Sequence, residues 1–135
     1  MSKRKKTLVN YEINKNIAKI LVLHRKWNKL NQANIAEDLS VTFQQVQKYE
    51  KCMNRLSAEM LIDICKKRKW DIALFMCDKP ESILDEWIQS SISTDELKGV
   101  GRAASIVPSI RKKWEQIDKN GENNYYQKHN FAKGS

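Results

Sequence analysis

The chain has 135 residues, 41% of them hydrophobic, and carries 25 Lys or Arg against 16 Asp or Glu for a formal net charge of +9. That length builds one main core and leaves no room for two full-sized domains. No run approaches the roughly 18 to 20 apolar residues of a membrane span, and the basic run Lys3, Arg4, Lys5, Lys6 is followed by no signal-peptide core, so the expected location is the cytoplasm.

Residues 1–11 carry that basic run without apolar periodicity and read as a flexible arm, which either touches phosphates or is merely disordered. Ile13, Ile17, Ile20, Leu21, His24 and Trp27 then recur at spacings of three and four, the signature of one core-facing helix face about four turns long. His24 on this stripe reads as a packed histidine. The other histidine, His129, lies in a polar tail, and no cysteine or carboxylate cluster accompanies either.

Asn31 is a suitable N-cap for a second helix ending near Leu39, with Ile35, Ala36 and Leu39 inward. Thr42 caps a third over residues 43–51, in which Val46 and Tyr49 turn inward while Gln44, Gln47 and Lys48 face out. Ser57 caps a fourth carrying Leu61, Ile64 and Cys65, and Ile72, Leu74, Phe75 and Met76 suggest a short fifth. No strand-like alternation of useful length occurs. The expected class is all-α, with five helices over residues 12–77.

Past residue 77 three further helical signals follow. Pro80 opens a helix bearing Ile83, Leu84, Trp87 and Ile88. Ser93 and Glu96 have capping-box spacing ahead of Leu97, Val100 and Ala104, and Pro108 opens a last helix with Ile110, Trp114 and Ile117. Residues 78–120 thus form a helical extension, and residues 121–135 read as a disordered tail.

Charge divides unevenly between these parts. Residues 1–77 hold 16 Lys or Arg and 7 Asp or Glu, whereas residues 78–135 hold nine of each. A polyanion suits the basic part, because Lys and Arg that neutralise phosphates release counterions; the other reading is a solvated basic surface. Cys52, Cys65 and Cys77 are odd in number and spaced for neither a disulfide framework nor a paired metal site, so they read as reduced thiols. No zinc-protease motif, Gly-rich phosphate loop or nucleophile with its base is present, which argues against an enzyme, a metal or a cofactor.

The segment at residues 31–51, NQANIAEDLSVTFQQVQKYEK, resembles the phage-repressor, xenobiotic-response-element family of helix-turn-helix regulators. The matching positions are Asn31, Gln32, Ala36, Leu39, Ser40, Val41, Thr42, Val46 and Glu50, and the likeness extends over about residues 12–77. Two departures stand out: Ser40 replaces the turn glycine, and Cys52 replaces a glycine often found after the third helix. Ser40 serves if the backbone avoids the left-handed region or tolerates some strain.

The resemblance implies that residues 43–51 lie in the major groove of double-stranded DNA. Phe43, Gln44, Gln47 and Lys48 are then the candidate base contacts, because Gln pairs with adenine, Lys donates to guanine and Phe43 packs on a thymine methyl. Gln32, Thr42, Gln45, Asn54 and Arg55 are the candidate phosphate contacts. The run Lys66 to Lys69 either extends the phosphate footprint or stabilises the helix end, the structural reading being preferred, and Trp27, Trp70, Trp87 and Trp114 read as core or interface anchors. The expected function is sequence-specific transcriptional regulation by a homodimer held through residues 78–119, the other reading being that these helices fold back and cap the first domain; an antitoxin-like interaction module is the alternative function.

Overall fold

The computed structural model describes residues 8–94 and 105–120. Its order is α1 (Leu8–Trp27), α2 (Gln32–Leu39), α3 (Phe43–Glu50), α4 (Ala58–Arg68), a 3₁₀ turn η1 (Ile72–Met76), α5 (Pro80–Thr94) and α6 (residues 105–120). The protein is all-α, a five-helix unit followed by a helical extension, with no strand among the described residues.

Local chemistry starts the short helices. Asn31 Oδ1 accepts from the Asn34 amide at 2.8 Å while Asn34 Oδ1 accepts from the Asn31 amide at 2.9 Å, a reciprocal capping box. Thr42 Oγ1 and Ser57 Oγ each accept from an amide three residues on, both at 3.1 Å. Each such cap contributes about 1 kcal/mol.

The helix ends are less ordinary. Lys29, Ser40, Cys52 and Lys69 all have left-handed φ, between 56° and 62°. In each case the next amide reaches back five residues: Leu30 to Arg25, Val41 to Ala36, Met53 to Lys48 and Trp70 to Cys65, at 2.9 to 3.0 Å. These are Schellman endings, the geometry that normally selects glycine. Ser40 and Cys52 therefore occupy the left-handed region that the missing glycines would have adopted. The backbone bonds hold them there against a steric cost of about 1 kcal/mol each.

α1 is the central element. It begins at Leu8, earlier than its apolar stripe predicts, so the expected arm over residues 1–11 is helical in its last four residues. Ala18, Ile20, Leu21, Val22 and Leu23 are buried all round its middle because α3, η1, α5 and α6 pack about it. His24 is buried too, stacked on Phe75 at 5.0 Å and flanked by Trp70 and Trp87. One ring nitrogen lies 3.0 Å from the Ile20 carbonyl, and burial pushes the His24 pKa down. Trp27, Trp70, Trp87 and Trp114 all pack on the core.

Two residues expected to face inward do not. Ile13 and Met76 are exposed, beyond the reach of the packed middle of α1, and line an open apolar cleft with Ile62. The short fifth helix is 3₁₀, not α. Ser93 falls within the backbone of α5, and the rest of the expected helix around Glu96, Leu97, Val100 and Ala104 lies outside the described residues, as does the tail over 121–135.

The extension folds back onto α1. Ile83, Leu84, Ile110, Trp114 and Ile117 join the same core, and Trp114 Nε1 donates to the Lys19 carbonyl at 2.9 Å. Lys15 and Lys19 reach Asp118 at 3.4 and 2.9 Å. α1 thus offers these five residues a partner face within the chain, while Trp87 and Ile88 are only partly buried. Pro108, expected to open this helix, lies within its described part over residues 105–120.

Candidate nucleic-acid interface

Two short helices joined by a tight turn form the site. Ala36 and Val46 are buried between α2 and α3, and the Schellman turn at Ser40 delivers Thr42 to start α3. α3 then presents two faces. Val46, Tyr49 and Glu50 point inward, while Gln44 and Lys48 are exposed, Phe43 is 44% exposed and Gln47 is half-buried at the margin. An aromatic ring with nearly half its surface in water is an unusual choice at the first turn of a helix.

The flanking polar residues divide by engagement. Thr42 is exposed, its oxygen accepting the cap bond. Gln45 lies half-buried, its amide 3.3 Å from the Tyr49 hydroxyl, which in turn approaches Met60 Sδ. Asn54 and Arg55 are exposed after the helix exit. Cys52 forms that exit, buried with its thiol 3.3 Å from Asn14 Nδ2, and burial pushes its pKa up to about 11.

Gln32 is tied down more firmly than its sequence position indicates. Its Nε2 donates at 2.9 Å to Glu50 Oε1, a carboxylate with 0% exposure. Arg25 closes on the same carboxylate with two bonds, Nε to Oε2 at 2.5 Å and Nη2 to Oε1 at 2.8 Å. Lys113 of α6 stands 3.7 Å from Oε1. Burying an ion pair is tolerable only when its remaining hydrogen-bonding capacity is filled, and Gln32 does part of that here. The network locks the start of α2 to the end of α3, which sets the angle between the two helices.

Sequence reasoning missed Arg25 and Lys113 around this carboxylate, and the bond from Gln32 to it. Glu50 was legible as a position in the motif, but its partners lie 18, 25 and 63 residues away and no local spacing points to them. The basic run at the end of α4 is structural in part: Arg68 grips Asp38 at 2.6 and 3.2 Å, and Lys67 Nζ donates to the Asp38 carbonyl at 2.6 Å. Among the described residues no cluster of His, Cys, Asp or Glu is arranged to hold a metal ion, and no helix is long and apolar enough to cross a membrane.

Comparison with known proteins finds relatives that are HTH-type transcriptional regulators. A curated relative from Sinorhizobium medicae, an uncharacterised HTH-type transcriptional regulator, is 32% identical over 104 positions, covering 67% of this chain and 75% of its own length. An uncharacterised HTH-type transcriptional regulator of Sinorhizobium fredii is 42% identical over 62 residues, 46% of this chain and 43% of that protein. A transcriptional regulator encoded in the ATPase CF(0) region of Rhodospirillum rubrum is 45% identical over 49 residues, 36% of this chain and 45% of its own length. The chain spans less than half the length of these last two relatives. No protein-family model and no solved structure matches it.

Proposed function

From the premise that the chain belongs to the HTH-type transcriptional regulators, we propose that it is a cytoplasmic, non-enzymatic regulator of the phage-repressor type that reads double-stranded DNA sequence-specifically with α3. The observation that carries this reading is the outward face of α3, where Phe43, Gln44 and Lys48 are exposed beside Gln47. Gln44 and Gln47 match the edge of adenine, Lys48 donates to guanine and Phe43 meets a thymine methyl. Gln32, Thr42, Gln45, Asn54 and Arg55 hold the flanking phosphates, which fixes register without reading sequence.

Selection of bound sites from random duplexes tests the reading, followed by titration of Gln44→Ala and Gln47→Ala on the selected site. Each substitution should cost about 1 to 3 kcal/mol and relax preference at one or two base pairs. Equal affinity of wild type and both variants for selected and scrambled duplexes refutes it.

One such unit covers few base pairs, so we propose that two copies occupy successive major-groove turns about 10 base pairs apart. Ile83, Leu84, Ile110, Trp114 and Ile117 are buried within one chain and are not available to pair the copies. On this reading the two copies pair on DNA. Sedimentation should give a monomer for free protein and a two-to-one complex with a selected duplex; a one-to-one complex refutes this geometry.

A further inference from the structure

We infer that α6 carries a DNA-backbone contact of its own: Lys113, with Lys26 of α1, forms a phosphate site beside the start of α2, extending the footprint past the helix-turn-helix. The inference rests on the DNA-binding reading above. Its geometry begins at Glu50 Oε1, on which Gln32 Nε2 at 2.9 Å and Lys113 Nζ at 3.7 Å converge. The ammonium head of α6 is therefore a neighbour of the glutamine at the first position of α2. That helix end carries the positive pole of the backbone dipole.

Charge at this place is unbalanced. Arg25 satisfies Glu50 with two bonds and Lys113 stands 3.7 Å from the same carboxylate, so two cations face one anion, and Lys26 is held one helical turn from Lys113 by its bond to Ser109 at 2.7 Å. Burial, then Arg25 and Lys113, push the Lys26 pKa down, and Glu50 is the one acid that opposes this. A phosphate diester would supply the missing negative charge.

Both lysines are also partly open to solvent and held in place. The Lys113 side chain is 24% exposed, and Lys26 is half-buried with its ammonium donating to Ser109 Oγ at 2.7 Å. Trp114, the next residue on α6, is anchored to the Lys19 carbonyl. Lysines fixed in this way lose less freedom on meeting a phosphate than lysines on a free surface. A salt bridge to Glu50 alone does not account for the pair, because Arg25 already closes that carboxylate.

The test is the salt dependence of binding by the full chain to a labelled duplex of about 20 base pairs, in which each lost phosphate contact flattens the slope of log K against log salt by about 0.9. Lys113→Gln and Lys26→Gln should each flatten the slope by about that amount, and Lys113→Arg should keep the wild-type slope. Lys79→Gln, an exposed lysine preceding α5, should leave it unchanged. Lys26→Gln leaves the Arg25 to Glu50 bonds in place, so it reads the site even if Lys113→Gln unfolds. A wild-type slope in both glutamine variants, while Lys48→Gln weakens binding, overturns this site alone; an equal loss in Lys79→Gln overturns it as a mere effect of net charge. Absence of salt-sensitive duplex binding by wild type overturns both this site and the function it rests on.

Discussion

Arg25→Met tests whether the buried carboxylate of Glu50 orders the DNA-binding unit. The substitution removes both guanidinium bonds to Glu50 and a third, from Nη1 to the Leu30 carbonyl at 3.1 Å. Glu50, with 0% exposure, is left with the Gln32 amide and with Lys113 at 3.7 Å. Breaking a buried pair on one side costs about 3 to 5 kcal/mol, because the remaining charge cannot reach water. For a chain of this size each kcal/mol corresponds to about 4 °C, so Tm should fall by about 12 to 20 °C. Glu50→Leu should cost a similar amount by stranding Arg25, which is itself 7% exposed.

The double variant Arg25→Met/Glu50→Leu removes both charges of this pair together and should lie within about 2 kcal/mol of wild type, giving a coupling energy of several kcal/mol in the cycle. Urea unfolding of the four proteins measures it. In the double variant Gln32 loses its anchor, so DNA affinity should fall although stability returns. A stability loss below about 1 kcal/mol for Arg25→Met, or a double variant as unstable as the two singles added, refutes the reasoning.

Three further outcomes follow from the same geometry. Ser40→Gly should raise Tm by about 4 °C, since Ser40 is exposed with φ 56° and glycine removes about 1 kcal/mol of steric cost; a lower Tm in thermal melts would contradict this. Burial holds the folded-state pKa of His24 below the ordinary histidine value of 6.5, so its contribution is intact above pH 6.5 and is lost as pH falls through the folded pKa. His24→Phe should therefore lose less stability than wild type between pH 7.5 and pH 5, and parallel pH profiles would rule the histidine out. Cys52 and Cys65 are buried with raised pKa values while Cys77 is half-buried, so a thiol reagent at about pH 8 should titrate Cys77 first and the other two only after unfolding.

The elements that sequence alone determined are those made by interactions within about four residues. Asn31, Thr42 and Ser57 act as caps because a side-chain oxygen reaches an amide three positions on, whatever the rest of the chain does. The apolar spacing of α1 and the motif from Asn31 to Glu50 identified the helix-turn-helix for the same reason, since small and branched residues at fixed offsets set how two adjacent helices cross. Tertiary structure decided what the spacing left open. Ser40 took the left-handed turn because bonds to Ala36 and Glu37 outweigh its strain. Gln32 turned to Glu50, and the apolar face of α6 packed on α1, with Trp114 closing a separation of 95 residues to Lys19. An amphipathic helix records in its sequence that it has a face to bury, but not against what; that choice belongs to the surface it meets when the chain closes, and here α1 had one to offer.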